Sequence, residues 1–219
     1  MSNFFSLDSP LIQFLNKVCD VLFLSIVFTL CCIPIITIGP AVTALYYATV
    51  KVIRRERGYL MREFFRSFKL NFKSGAFLTF IFLIAYGILY VDIKYAQDLV
   101  NTNGTMGFIM SNLFRAMFII LVLVTLYAFP VLSRFTVKGF QLLKTSFLMS
   151  LRHLPSTILI ALIVGASLFL LYLIPVLFFF VPGLAAFLCS FMMERVFRKY
   201  MPAPNENAEA EGTDEWYWE

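Results

Sequence analysis

The stretch from Pro34 to Lys73 reads P-I-I-T-I-G-P-A-V-T-A-L-Y-Y-A-T-V-K-V-I-R-R-E-R-G-Y-L-M-R-E-F-F-R-S-F-K-L-N-F-K. Its first half is apolar and interrupted by Pro34, Gly39 and Pro40. Its second half is basic. From Lys51 to Lys73, eight Lys and Arg residues stand against Glu56 and Glu63, a net charge of 8 − 2 = +6. A basic block abutting apolar spans marks the cytoplasmic side of a membrane protein, and the remaining segments are oriented from this one.

The wider composition agrees. Of 219 residues, 60% are hydrophobic and 14% charged, and the mean hydropathy is +0.83. Soluble domains are about half apolar and about a quarter charged. Apolar runs of this length predict an all-α polytopic membrane helix bundle. Residues 1–200 are expected to form a single integral membrane domain, and residues 201–219 an acidic, disordered cytoplasmic tail. That tail carries Glu206, Glu209, Glu211, Asp214, Glu215 and Glu219 without a base. The preceding bases are membrane-proximal, so the partner they suit is a bilayer with anionic headgroups. No recognition motif accompanies them, which argues against nucleic acid.

Outward from the central stretch, the first span is expected from Val18 to Ile33, after a short interfacial lead-in. No Lys or Arg occurs in residues 1–16, so no cleavable signal peptide is expected. Gly39-Pro40 is read as the restart of a second helix, Ala41 to Arg57. This helix has no polar face before Lys51, as an interfacial helix requires, and is therefore read as inserted and short. Arg57 to Lys73 reads as a basic amphipathic elbow, with Leu60, Phe64, Phe65, Phe68 and Phe72 near helical spacing.

A third span is expected over Gly75–Val91, an external polar loop over Asp92–Ser111, and a fourth span over Asn112–Leu132. Arg134 to Arg152 forms a second basic elbow. Thr157 to Met193 has no formal charge and accommodates two spans joined by a tight hairpin near Ile174-Pro175. The total is six membrane helices with both termini cytoplasmic. Five spans, with the second helix on the surface, is the alternative. A faint internal echo pairs Leu45-Tyr46, Ser67-Phe68 and Lys73 with Leu126-Tyr127, Ser146-Phe147 and Arg152.

The residues Pro34–Tyr47, the following basic stretch, Gly58-Tyr59 and Phe64–Lys73 together resemble the YesL family of bacterial membrane proteins. That resemblance implies a family without an assigned molecular function, often encoded beside carbohydrate uptake transporters and polysaccharide-degrading enzymes. No catalytic residue carries over from it.

Catalytic chemistry is not expected from the residues either. P-loop, H-E-x-x-H and G-x-S-x-G spacings are absent from the sequence, and no cofactor or metal site is expected. Cys19, Cys31, Cys32 and Cys189 lack C-x-x-C spacing and read as packing residues. His153 reads as an interfacial polar residue, Arg115 as snorkelling outward, and Lys17 with Asp20 as an ion pair. Pro34, Gly39 and Pro40 are candidate structural positions. Arg66, Lys69, Asn71 and Lys73 are a candidate anion or headgroup set, with Asn71 alternatively a cap or a bond to the second helix.

The expected function is a non-enzymatic membrane component that assists or regulates a carbohydrate uptake system of the ABC type. Its partner would be a transporter subunit. An independent small-solute or lipid transporter is the rival, motivated by the break at Pro34–Pro40.

Overall fold

The computed structural model describes residues 10–102, 104–135 and 139–201. All regular structure among them is helical. In chain order the helices are α1 (Pro10–Cys31), α2 (Ile38–Ala48), α3 (Leu60–Thr102), α4 (Gly104–Arg134), α5 (Phe140–Arg152), α6 (Leu154–Leu173) and α7 (Val181–Phe197). A 3-10 turn at Ile35–Thr37 leads into α2, a π-helical turn at Thr49–Arg54 extends it, and a 3-10 turn at Pro175–Phe179 joins α6 to α7.

Among the described residues five helical stretches are long and apolar enough to cross a membrane: Ile12–Cys31, Ile35–Arg54, Leu60–Val100, Gly104–Arg134 and Leu154–Leu173. The architecture is an all-α polytopic membrane helix bundle. The second helix is one of the five. The sixth apolar helix, α7, has 17 residues, short of the ~20 that a full crossing needs.

The second helix is the centre of the bundle. Of its most apolar window 61% is buried inside the protein, against 11% for α6. Its lack of a polar face thus has a cause beyond lipid: protein covers it on most sides. It runs antiparallel along the basic first half of α3. At one end the Gly39 N–H donates to Thr79 Oγ1 at 3.1 Å; at the other Lys51 meets Glu63 at 3.2 Å. The apolar second half of α3 takes α4 instead. There the Phe82 and Phe129 rings lie 5.9 Å apart, and the Tyr86 and Thr125 hydroxyls 2.9 Å apart.

Small residues set the α2–α3 distance. A Cβ on Gly39 would lie 2.5 Å from the Gly75 carbonyl oxygen and 2.6 Å from the Phe129 ring. A Cβ on Gly75 would lie 2.8 Å from the Pro40 nitrogen. Close backbone approach through small residues is how helices associate where lipid removes the hydrophobic drive.

Four expectations are corrected. The first basic elbow is not separate from the third span, because α3 is one helix of 43 residues. No proline interrupts Leu60–Thr102, and Gly75 is held inside the helix by its packing on Pro40. The Asp92–Ser111 segment is not a loop: α3 continues to Thr102 and α4 begins at Gly104. Its chain reversal is tight, since a Cβ on Gly107 would lie 2.5 Å from the Leu99 carbonyl carbon.

The break between the first two helices falls at Cys32–Pro34, and Gly39 and Pro40 already lie in the first turn of α2. Gly39 therefore has no positive φ; among the described residues positive φ occurs only at Glu56, Gly58 and Gly139. Finally, residues 10–17 are continuous with the first span rather than a separate lead-in. The hairpin at Ile174-Pro175 forms as expected, and the second basic elbow contains the separate helix α5. The acidic tail beyond Met201 lies outside the described residues.

Candidate functional site

The polar groups of the bundle gather where α2, α4 and α7 meet. Glu194, on α7, is buried. Arg134 at the end of α4 donates through Nε to its Oε1 at 2.9 Å and through a terminal nitrogen to its Oε2. The Tyr46 hydroxyl of α2 donates to the same Oε1 at 2.9 Å. Arg55 Nη2 stands 3.7 Å from Oε2. One carboxylate thereby ties three segments together. A fork-shaped guanidinium suits this role because it satisfies both carboxylate oxygens at once.

Arg54 lies beside this group, donating to the Ser190 carbonyl at 2.9 Å and stacking on the Phe191 ring at 4.3 Å. The π-helical turn ends on Arg54, and Arg55 follows it directly. One extra residue in a helical turn re-aims the side chains that follow, and such turns collect at functional positions. Burial, then the Arg134 charge, pushes the Arg55 guanidinium down from its ordinary value, while Glu194 pulls it back up.

A second buried pair joins the π-helical turn to α3. Lys51 and Glu63 have side-chain exposures of 5% and 8%. Lys51 also approaches the Tyr47 hydroxyl at 3.4 Å. Glu63 folds over the Gly58 turn, whose φ of +84° only glycine adopts freely. Lys17 pairs with Glu56 at 2.8 Å rather than with Asp20, and its ammonium holds the Glu56 carboxyl below the ordinary carboxylate value.

The residues singled out from sequence divide into two groups. Pro34, Gly39 and Pro40 are structural. Pro34 is extended, with φ −79° and ψ 128°, and its carbonyl accepts from the Thr37 N–H at 3.0 Å. Gly39 and Pro40 are buried against α3. Arg66, Lys69 and Lys73 are exposed along one face of α3. Asn71 does not join them in a site. Its amide donates to the Ser67 carbonyl one turn back at 3.1 Å, so the expected bond to the second helix is absent.

The sequence reading missed Tyr46, Arg134 and Glu194 as a group. In the sequence Glu194 is simply the first charge after the uncharged run that ends at Met193. The available signal was a lone carboxylate closing the long uncharged run. Its partners were beyond reach, because 148 residues separate it from Tyr46 and 60 from Arg134. Among the described residues no group of three His, Cys, Asp or Glu side chains is placed to hold a metal ion.

Residues 19–93 match a family described as "Protein of unknown function, DUF624". This region holds the α2–α3 crossing and the Lys51–Glu63 pair, but not Arg134 or Glu194. The chain is also 29% identical, over 136 residues, to a protein of Bacillus subtilis (strain 168) named "Uncharacterized protein YesL". The likeness covers 62% of this chain and 62% of that relative. No solved structure matches the chain. The quoted motif, the matched region and the shared identity make the chain similar to the YesL family, whose descriptions assign no molecular activity.

Proposed function

We propose that the protein is a non-enzymatic membrane component that assists or regulates a carbohydrate uptake system, through contact with a transporter subunit. The observation behind this reading is the distribution of polar and apolar surface. The carboxylate of Glu194 is turned inward and engaged by three side chains. What the bundle offers outward is apolar helix. Ile158, Leu162, Leu168, Phe169 and Tyr172 of α6 are exposed, as are Phe77, Phe80, Leu83, Ile84 and Ile88 of α3. Such faces suit lipid or the spans of another membrane protein. The sugar-uptake assignment itself rests on the family resemblance.

The rival, an independent solute or lipid transporter, draws on the break between α1 and α2. Irregular backbone forms a solute site where it lines a protected cavity. Here Ile33, Ile35 and Ile36 are exposed by 60% or more, so the break sits on the surface of the bundle.

In the proposed orientation α7 is a short sixth crossing, and the basic segments and both termini are cytoplasmic, in the cell membrane. Crosslinking in native membranes followed by purification tests the function. Recovery of a sugar-transporter subunit, with slowed sugar uptake on deletion, is expected. Unchanged uptake on deletion, together with recovery of no transporter subunit, removes the proposal. Solute movement by the purified protein in liposomes would favour the rival.

A further inference from the structure

A second polar concavity lies away from the Glu194 group, where the chain turns from α5 into α6 and where α7 ends. Arg152, His153, Lys199 and Tyr200 line it, around a cavity of about 380 Å³. One wall is fixed: the His153 Nε2 and the Tyr200 hydroxyl are 3.1 Å apart, and their rings meet edge to face at 5.7 Å. The Arg152 guanidinium lies 5.8 Å from the centre of the same tyrosine ring.

The contrast with Glu194 carries the inference. There, arginines converge on a carboxylate of the chain itself. Here, an arginine, a lysine, a histidine and a phenol converge, and no carboxylate is among the lining residues. A fork of guanidinium donors, an ammonium and a hydroxyl match the several oxygens of a phosphate group. The location narrows the source. α6 starts at Leu154 and runs 20 uncharged residues, about 30 Å at 1.5 Å per residue, which is the thickness of the hydrocarbon core. Residues immediately before such a helix stand at headgroup depth.

We infer that Arg152, His153, Lys199 and Tyr200 form a binding site for a phosphate-bearing anion, with the headgroup of an anionic phospholipid as its ligand. The site is independent of the proposed role in sugar uptake. It is also distinct from the exposed row of Arg66, Lys69 and Lys73, which has bases but no enclosing walls.

The test uses the full chain in nanodiscs of phosphatidylcholine containing a minor fraction of phosphatidylglycerol, with retained lipid counted by native mass spectrometry. The double variant Arg152→Gln/Lys199→Gln is expected to weaken phosphatidylglycerol retention about 30-fold, from about 1 kcal/mol per base. The control, Arg62→Gln/Lys144→Gln, removes the same charge from positions outside the cavity and is expected to change retention far less. Equal losses in the two double variants would mean diffuse attraction and overturn the site; so would no loss in the first.

Inorganic phosphate, titrated into detergent-solubilised protein, separates the sources. Retention of phosphatidylglycerol without phosphate binding supports the headgroup. Phosphate binding that displaces the lipid keeps the site but reassigns it to a soluble phosphate, overturning the lipid ligand. Should the double variant fail to fold, the single Lys199→Gln at an exposed position carries the same comparison, with about a fivefold loss expected.

Discussion

Arg134 and Glu194 meet side chain to side chain with exposures of 1% and 4%, joining the end of α4 to α7 across 60 residues of chain. Both charges have left water, which is unfavourable for each alone and is offset only while they face one another. Glu194→Ala would leave the Arg134 guanidinium buried beside Arg55 without their shared counter-ion. We expect a loss of about 3–5 kcal/mol, read as an earlier unfolding midpoint in a denaturant titration of the detergent-solubilised protein. A midpoint within experimental scatter of wild type would remove the buried ion pair from this description.

The Lys51–Glu63 pair makes the complementary case. Glu63→Leu alone strands a buried ammonium and should be strongly destabilising. Adding Lys51→Met replaces both charges with apolar groups of similar size, which is often neutral or stabilising. The double variant should therefore be more stable than the single one. A double variant less stable than Glu63→Leu would show that Lys51 is held by something other than Glu63.

Gly39→Ala tests the crossing of α2 and α3. The added methyl has no free volume between the Gly75 carbonyl and the Phe129 ring. Overpacking of this kind costs about 1–3 kcal/mol, and membrane yield and melting temperature should both fall. Gly165→Ala is the control, because nothing lies within 4 Å of a Cβ there. Equal behaviour of the two variants would refute the close approach.

His153 supplies a pH dependence. Burial, followed by the charges of Lys199 and Arg152, pushes its imidazole below the ordinary value. The unfolded chain then binds the proton first as pH falls. Stability associated with His153 is full above the unfolded pKa of about 6.5 and is lost as pH drops through that value toward the lower folded pKa. The melting temperature of wild type in zwitterionic micelles should fall over that window more than that of His153→Gln. Parallel curves would remove His153 as a contributor.

Topology is checked with an impermeant thiol reagent on intact cells, in a background where the native cysteines are alanine. A cysteine at Asn103 should react. One at Asn207 should not. Reaction at Asn207 would reverse the orientation proposed for the carboxyl terminus.

The sequence by itself determined that this is a membrane helix bundle, where its apolar helices lie, and which segments are basic. Composition and hydropathy are local properties, and the length of an apolar run is set against bilayer thickness without knowledge of any neighbour. The Pro34–Lys73 stretch also marked the right place: Gly39 and Pro40 stand at a close crossing of α2 and α3. What only the tertiary structure decided was why. Gly39 is needed for close approach to the Gly75 backbone 36 residues away, not for a strained turn, and nothing local distinguishes those two uses of glycine.

The same holds for α2. Its bare apolar surface looked like a demand for lipid, whereas neighbouring helices supply most of the cover. A hydropathy pattern records that water is excluded and is silent on what excludes it. The Glu194 group was illegible for the same physical reason. A carboxylate at the end of an apolar run looks like an ordinary return to water until the fold brings Arg134 and Tyr46 onto it.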